Sequence, residues 1–256
     1  MHNVKVIIPI YKADLSNVER ISLTQVCKVL QNYPLVVIKP QSLDLSVLAD
    51  EFPLLSFVSF DDNYFRGISG YNRLMLAKEF YQTFMDCNYI LIYQLDAYVF
   101  RDELDTWCKK GYDYVGAPWL KRPLYRFPLL TAFMRLNHAW AKYRNKPSKQ
   151  DLYDKIGNGG LSLRKVSSHY RVTCEQKERI RFYLTQKRHH LYNEDVFWAT
   201  EAKGFTYPTP TEALKFSFDK YPGYCYQLNE KQLPFGCHAW YKRKMKRFWS
   251  KFIPFQ

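Results

Sequence analysis

Four short segments of the 256-residue chain carry side chains whose types and spacing could support chemistry. The first is Asp96, which follows the apolar run Tyr89–Leu95, where a carboxylate can hold a divalent cation or a ribose hydroxyl. A helix cap or a loop acid would also account for Asp96, so its position alone leaves both interpretations open. The second is Gly157–Gly160 (GNGG), whose three glycines allow positive φ angles and close approach of a ligand, or form an ordinary tight turn.

The third segment, Asn193-Glu194-Asp195, places two carboxylates at the start of a predicted helix, with Asn193 as its cap and Gly204 as its end. Acids in a first helical turn commonly complement the helix dipole, whereas a carboxylate in a ligand site can take a proton from a hydroxyl group. The fourth segment, PFGCHAW, contains His238, a single histidine that could be structural or a ligand. Each segment by itself therefore has a structural explanation beside the chemical one.

Alternating strands and helices would position these segments. Apolar runs rich in β-branched residues predict strands at Val4–Ile10, Leu35–Lys39, Ser56–Phe60 and Tyr89–Leu95. A capping box of Ser16 and Glu19 predicts a helix over Asn17–Gln31. Helical spacing predicts a second helix carrying Tyr71, Leu74, Ala77, Tyr81 and Phe84. This βαβ order favours a mostly parallel sheet, whose ligands bind beyond the carboxyl ends of the strands, near Tyr11, Asp61-Asp62 and Asp96.

The formal net charge of +14 is concentrated in two segments. Residues 120–150 contain no acid and eight basic residues: Lys121, Arg122, Arg126, Arg135, Lys142, Arg144, Lys146 and Lys149. Residues 241–256 contain no acid and six basic residues: Lys242, Arg243, Lys244, Lys246, Arg247 and Lys251. These two segments account for the whole excess, because the remaining 24 basic residues balance 24 acidic ones.

Both basic segments also carry an apolar stripe at helical spacing. The stripe of the insertion consists of Leu129, Phe133, Leu136 and Trp140, and that of the tail of Tyr241, Met245, Phe248, Trp249 and Phe252. Basic amphipathic helices suit an anionic membrane surface, but the stripe of the insertion could instead cover the protein's own core. Basic patches with aromatic residues also suit nucleic acids, although no recognised nucleic-acid motif accompanies them.

Taken together and in this order, the four segments resemble the motifs of the GT-A class of nucleotide-sugar glycosyltransferases. The resemblance extends over about Val4–Tyr241 and is greatest to an uncharacterised bacterial branch associated with surface polysaccharide assembly. It implies an α/β fold with a GT-A-type, Rossmann-like mixed sheet, mostly parallel and flanked by helices, in one domain over residues 1–240. The basic helical insertion would span residues 120–150, and the basic aromatic C-terminal tail would span residues 241–256.

The resemblance also assigns roles. Asp96 corresponds to the first residue of a metal-binding DxD motif, Gly157–Gly160 to a glycine-rich loop, residues 193–195 to an xED motif and His238 to a late histidine. Asp96 and His238 would hold Mn²⁺ or Mg²⁺, although Tyr98 replaces the second Asp of DxD, so cations of the protein could take the metal's place. The expected donor-binding residues are Pro9, Ile10, Tyr11, Arg73, Asp96, Gly159 and Gly160, with Arg73 facing the diphosphate.

The expected reaction moves a sugar from a nucleotide-sugar donor, with a UDP-sugar favoured, to a glycan hydroxyl of a lipid-linked surface polysaccharide intermediate. Asp195 would act as the base and Glu194 would orient the acceptor, and direct attack would invert the anomeric centre. Two alternatives stay open. A catalytically silent sugar-binding relative would bind sugar without turnover, and a basic nucleic-acid-binding protein would bind RNA or DNA with a steep salt dependence.

The location follows from segments that the sequence lacks. No apolar run approaches the ~18–20 residues that a bilayer-spanning helix needs, and no secretory signal pattern is present at the start of the sequence. We therefore expect a cytoplasmic protein that is peripheral on the inner membrane face. The six cysteines lack metal-site spacing, which predicts free thiols.

Overall fold

A computed structural model describes residues 4–121, 125, 127–144, 146–186 and 190–255. The strands within these ranges are β1 (Val4–Pro9), β2 (Leu35–Pro40), β3 (Leu55–Phe60), β4 (Tyr89–Tyr93), β5 (Ala97–Val99), β6 (Tyr114–Val115), β7 (Leu161–Lys165), β8 (Ser217–Phe218) and β9 (Gly236–His238). One sheet has the order β3-β2-β1-β4-β7-β6. Strands β1 to β4 are parallel and β7 is antiparallel to both β4 and β6. The predicted mixed, mostly parallel sheet is confirmed.

Helices cover both faces of this sheet. They are α1 (Asn17–Val29), α2 (Ser46–Glu51), α3 (Gly67–Met75), α4 (Lys78–Thr83), α5 (Leu104–Lys109), α6 (Pro128–Tyr143), α7 (Val166–Glu175), α8 (Lys177–Thr185), α9 (Glu194–Thr200), α10 (Pro210–Phe216), α11 (Pro222–Leu228) and α12 (Arg243–Trp249). In β1, Val6 and Ile8 pack in the core that contains Leu23 of α1, whereas Ile7 packs in the core that contains Phe80 of α4. Burial on both faces explains why the strands read as nearly continuous apolar runs.

The predicted start of α1 is confirmed and the second predicted helix is interrupted. The Ser16 backbone N–H donates to Glu19 Oε2 at 2.8 Å, as a capping box requires. The second helix is instead divided into α3 and α4, with Ala77 in an extended conformation between them. Leu74 and Leu76 are both buried, together with the residue between them, and three consecutive buried residues do not share one face of a continuous helix.

A second, smaller sheet has the order β5-β9-β8. Strand β9 is antiparallel to β5, with Ala97 opposite His238, and parallel to β8, with Phe218 opposite Cys237. Asp96 precedes β5, His238 ends β9, and Asp219 follows β8. The register of this small sheet therefore brings three polar side chains together from distant parts of the chain.

The basic insertion forms α6, and its apolar stripe faces away from the protein. The partly buried residues of α6 include Leu130, Met134, His138 and Ala141, which lie on a different face. The predicted stripe is exposed at 87% for Leu129, 61% for Phe133, 70% for Leu136 and 58% for Trp140. The alternative that this stripe covers the core is therefore wrong. Arg122 and Arg126 of the insertion lie outside the described residues.

The stripe of the tail, in contrast, packs on the protein. In and after α12, Met245, Trp249 and Ile253 are buried in a third core that also contains Tyr98 and Trp240. The prediction that the tail stripe is available to a membrane is wrong for Met245 and Trp249, because tertiary packing already covers them. Within the described residues, no helix has the length and apolar character required to cross a bilayer, and all six cysteines are free.

Candidate active site

A cavity of about 1010 Å³ lies beyond the carboxyl ends of β1 and β4, where parallel sheets bind their ligands. It is lined by most of the predicted site residues: Pro9, Ile10, Tyr11, Asp96, Gly159, Gly160, Glu194, Asp195 and His238. Asp61 and Asp62 do not line the cavity. Asp61 accepts a hydrogen bond from the Asn63 backbone N–H, and Asp62 accepts one from the Ser42 backbone N–H of another loop. The cavity thus joins segments that the sequence placed far apart.

His238 is held between two carboxylates at one end of this cavity. Its Nε2 lies 2.9 Å from Asp96 Oδ1, and its Nδ1 lies 3.2 Å from Asp219 Oδ1. Nδ1 makes a hydrogen bond with Asp219, whereas the buried Nε2 has no hydrogen-bond partner of acceptable geometry in the described part of the chain. The amide nitrogen of Asn158 also lies 3.0 Å from Nδ1. Asp219 was missed from the sequence because only the pairing of β8 with β9 brings it here.

The electrostatics of this cluster favour positive charge at its centre. Burial alone would lower the pKa of His238, but the charge of Asp96, and next the hydrogen bond and charge of Asp219, raise it to about 9. Burial alone would raise the pKa of both carboxyls, and His238 holds each pKa below its ordinary value. Either an imidazolium or a cation bound beside Nε2 would balance the two carboxylates.

The donor set at this end fits a divalent cation completed by substrate. Two neighbouring ligands of an octahedral cation with bonds of ~2.1 Å are ~3 Å apart, close to the 2.9 Å between Asp96 Oδ1 and His238 Nε2. Tyr98, which replaces the second Asp of DxD, contributes no ligand, because its ring packs in the third core against Phe100 and Trp240. Among the residues that the structure describes, no group of three or more His, Cys, Asp or Glu could hold a metal ion. A cation here would therefore need further ligands from phosphate oxygens or water.

Glu194 is held in the cavity wall by an ion pair with a buried arginine. Arg164 of β7 is fully buried, and its Nη2 lies 3.1 Å from Glu194 Oε2 and 3.2 Å from Oε1. Burial raises the pKa of Glu194, and the charge of Arg164 offsets part of that rise. A Cβ at Gly159 would lie 1.9 Å from Glu194 Oε1. The glycine is thus required because the carboxylate approaches the backbone closely.

Asp195 lies beside Glu194 on the cavity wall and has an unusual affinity for a proton. Burial, and next the charge of Glu194, raise the pKa of Asp195 to about 7. Its Oδ1 accepts one hydrogen bond, from the Val196 backbone at 2.9 Å. A carboxyl with a pKa near neutrality is suited to exchange a proton with a substrate hydroxyl.

The start of α9 differs in detail from the prediction. Asn193 is the N-cap residue, but its side chain makes no capping hydrogen bond. Asn72 of α3 replaces it, because Asn72 Oδ1 accepts from the Glu194 backbone at 3.1 Å while its Nδ2 donates to Asn193 Oδ1 at 3.1 Å. The helix ends at Thr200 rather than near Gly204. Contact between α3 and α9 therefore positions both carboxylates.

Residues that follow β1 also line the cavity. Tyr11 is 61% exposed there, and Tyr241 and Lys242 of the tail line the same cavity. Lys242 lies close enough to Asp96 to lower the pKa of that carboxyl. Arg73 does not line the cavity, because its Nη2 donates to the Asn63 carbonyl at 2.7 Å on the exposed side of α3. The prediction that Arg73 faces a donor diphosphate is corrected accordingly, and Lys242 is the cation that the sequence interpretation missed.

The architecture is shared with solved glycosyltransferases. The galactosyltransferase LgtC, in complex with donor and acceptor sugar analogues, is 11% identical with a TM-score of 0.60, and the match covers 96% of this chain and 94% of LgtC. Mouse xyloside xylosyltransferase 1, in its apo form, is 12% identical with a TM-score of 0.55, over 91% of this chain and 96% of that protein. The mannosyltransferase Ktr4p from S. cerevisiae, in complex with GDP, is 10% identical with a TM-score of 0.50, over 83% and 68% of the two chains. The fold is of the GT-A glycosyltransferase type.

Sequence comparison assigns the chain to one protein family. No curated protein matches it in sequence. The profile of a family described as "Protein of unknown function (DUF5672)" matches residues 54–238, and the chain belongs to this family.

Proposed function

We propose that the protein is a glycosyltransferase that moves a sugar from a nucleotide-sugar donor to a hydroxyl group of a glycan. The observation that carries this proposal is the single cavity that joins the Asp96–His238 pair to the Glu194–Asp195 pair at the carboxyl ends of parallel strands. The shared fold adds support, since LgtC was solved with donor and acceptor sugar analogues and Ktr4p with GDP. One pair would serve the diphosphate of the donor and the other the acceptor hydroxyl.

The two carboxylates of α9 would act on the acceptor. Sugar transfer requires that the acceptor hydroxyl lose a proton as it attacks the anomeric carbon, and Asp195 has the pKa and the cavity position to accept that proton. Glu194, held by Arg164, would orient the acceptor. We propose direct attack, which inverts the anomeric centre.

The Asp96 end of the cavity would stabilise the leaving group. Asp96 Oδ1 and His238 Nε2 would hold Mn²⁺ or Mg²⁺, and such a cation supplies positive charge opposite the departing diphosphate. Lys242 would add a second positive charge at the same end. These groups act where negative charge develops during the transfer.

The segment after β1 would bind the nucleoside. Pro9 and Ile10 would contact the base or ribose, and the exposed ring of Tyr11 offers a stacking surface for a base. Gly159 and Gly160 would line the sugar and acceptor side, where a side chain would obstruct the substrate. A Cβ at Gly160 would also lie 2.2 Å from His238 Nε2. A UDP-sugar is the favoured donor in this proposal.

A donor panel tests the proposed function. Purified protein is incubated with UDP-, GDP-, dTDP- and CMP-linked sugars, with Mn²⁺ or with EDTA, and released nucleotide is measured by chromatography. One donor should be consumed, and the product formed on a glycan acceptor should have the inverted anomeric configuration by NMR.

Matched variants link that turnover to the cavity. Asp195→Asn should keep donor binding by calorimetry and lose about 10²–10⁴ in transfer rate. Arg73→Ala, which changes an arginine outside the cavity, should leave transfer unchanged. Failure of all four nucleotides to bind would overturn the proposal, and full activity of Asp195→Asn would overturn the assignment of the base.

We further propose that the acceptor is lipid-linked and that α6 contacts an anionic membrane surface. The helix that carries the exposed stripe also carries Arg135 and Lys142, and Arg144 at its end lies over the Trp140 ring at 4.0 Å. Exposed apolar residues with neighbouring cations suit anionic lipid headgroups. The short segment Lys149–Leu152 after α6 contacts α9, so the membrane would approach the side of the cavity that carries Asp195.

Liposome flotation tests this membrane contact. The wild-type protein should float with vesicles that contain phosphatidylglycerol, and Leu136→Ser combined with Trp140→Ser should not. Val47→Ser changes an apolar residue that is 78% exposed on α2 and should float as the wild type does. Equal recovery of the α6 variant and the wild type, or no flotation of either, would overturn the membrane role of α6.

A further inference from the structure

We infer that Asp219 is a positioning residue for a divalent cation: its carboxylate holds the His238 ring with Nδ1 protonated, so that the lone pair of Nε2 faces a cation shared with Asp96. This inference deepens the proposed function and rests on it for the location of the site. Cation binding can nevertheless be measured without sugar transfer, so the two can fail separately.

The backbone fixes the relative positions of the three side chains. Strand β9 lies between β5 and β8, and its last residue is His238. The Ala239 N–H donates to the Asp96 carbonyl at 2.7 Å, which ties the residue after β9 to the residue before β5. Asp219 leaves β8 on the other side of the histidine. The imidazole is therefore reached by one carboxylate from each neighbouring strand.

The hydrogen bonds of the ring indicate which nitrogen carries the proton. Nδ1 lies 3.2 Å from Asp219 Oδ1 in hydrogen-bond geometry, and a carboxylate can only accept, so Nδ1 donates. Nε2 lies 2.9 Å from Asp96 Oδ1 without hydrogen-bond geometry and is buried. Metal-binding histidines commonly donate their second ring N–H to a carboxylate, which fixes the tautomer and the orientation of the ring. His238 has this arrangement, with Asp219 as the orienting carboxylate.

Asn158 offers the opposite arrangement and must be weighed against Asp219. Its Oδ1 accepts from the Gly160 backbone at 2.9 Å, which turns its amide nitrogen toward His238 Nδ1. If Nδ1 accepted from Asn158, the buried Asp219 carboxylate would face a lone pair at 3.2 Å and lose a charge-assisted hydrogen bond. The side chain of Asp219 is only 11% exposed, so water would compensate that loss poorly. The carboxylate therefore determines the tautomer.

Manganese binding tests the inference in the full chain. Mn²⁺ alone, and Mn²⁺ with UDP, are titrated while free Mn²⁺ is followed by electron paramagnetic resonance. Pulsed measurements on the bound ion detect a coordinated imidazole nitrogen. The wild-type protein should bind Mn²⁺ with an imidazole signature, Asp219→Asn should bind it about 10–100-fold more weakly, and His238→Gln should lack the signature.

Two controls separate positioning from general damage. Asp113→Asn removes another buried carboxylate, one that bonds Ser168 and Thr206, and should leave Mn²⁺ affinity unchanged. Asn158→Gly suits the positive φ of 68° at that position and should keep most of the affinity. If Asp219→Asn fails to fold, ¹⁵N NMR of the wild-type protein with Mg²⁺ still reports whether His238 carries its proton on Nδ1.

The outcomes distinguish this inference from the proposed function. Wild-type affinity in Asp219→Asn, a loss confined to Asn158→Gly, a proton on Nε2 in the Mg²⁺ form, or absence of Mn²⁺ binding in the wild type would each overturn the role of Asp219. None of these results would contradict the proposed sugar transfer if the protein transfers sugar in the presence of EDTA, without a divalent cation. Conversely, weakened Mn²⁺ binding in Asp219→Asn without consumption of any donor would support the positioning role and count against sugar transfer.

Discussion

The rate of the transfer step should fall as the pH drops below about 7, because Asp195 can accept a proton only when it is ionised. Burial, and next the neighbouring charge of Glu194, raise the pKa of Asp195 to about 7. With that pKa, the ionised fraction is about one half at pH 7, about 9% at pH 6 and about 1% at pH 5. The transfer step should therefore be about fivefold slower at pH 6 and about fiftyfold slower at pH 5 than at pH 7.

Glu194→Gln tests the physical cause of this pH dependence. The substitution keeps the size of the side chain and removes the negative charge that helps to raise the pKa of Asp195. The acidic limb of the pH profile should then move to lower pH, even if the maximal rate falls because the acceptor is less well oriented.

Single-turnover measurements between pH 5 and 9, at saturating donor, acceptor and Mn²⁺, isolate the transfer step from product release. Thermal unfolding at each pH identifies any loss of folded protein. A rate that stays constant from pH 5 to 8, or a limb that moves to higher pH in Glu194→Gln, would refute the reasoning.

Further predictions concern stability and packing. Gly160→Ala should lose Mn²⁺ binding in the manganese titration described above, since its Cβ would lie 2.2 Å from the His238 imidazole. Gly223→Ala, whose Cβ would have its nearest atom at 3.8 Å, should keep Mn²⁺ binding. Arg164→Met should lower the free energy of unfolding, measured in urea, by about 3–5 kcal/mol, because the buried Glu194 carboxylate loses its partner. Addition of Glu194→Gln should restore most of that free energy. No recovery in the double variant would contradict this account. Between its ordinary pKa and about 7, Asp195 holds a proton in the folded protein but not in the unfolded chain, so stability falls as the pH rises through this window. Asp195→Asn should therefore unfold at a higher temperature than the wild type at pH 8, with little difference near pH 4, and a lower temperature at pH 8 would contradict the assigned burial.

Local sequence patterns predicted the parts of the fold that depend on short-range physics. Strands β1, β2 and β4 are buried on both faces, so their apolar runs were informative, and the capping box at Ser16 and Glu19 marked the start of α1 correctly. The break between α3 and α4 was not predicted, because Met75 and its two neighbours are three consecutive buried residues, a pattern that no single helical period records. Likewise, the apolar stripes of α6 and α12 look alike in sequence, and only tertiary packing makes one exposed and the other buried.

The candidate site was likewise predictable from local sequence only in part. Asp96, Gly159, Gly160 and the two carboxylates of α9 line the cavity, and their residue types at strand and helix ends made them candidates in the sequence. Asp219 and Lys242 gave no such signal. Asp219 is an ordinary acid after a two-residue strand and contacts His238 only because β8 pairs with β9. Lys242 is one lysine among many and lines the cavity only through packing of distant segments. Arg73 was misassigned because a helical position does not specify which face is turned toward the cavity.

The position of β9 between β5 and β8 also sets the order of events during synthesis. Every strand of the larger sheet precedes residue 166, so that sheet can form while β9 is still to be made. His238 and Lys242 join the cavity only after β9 has paired with strands made before it. A partly synthesised chain would thus have the larger sheet without His238 and Lys242, the groups that we propose act on the leaving phosphate. The candidate site would therefore be completed only when the smaller sheet forms, after the larger one.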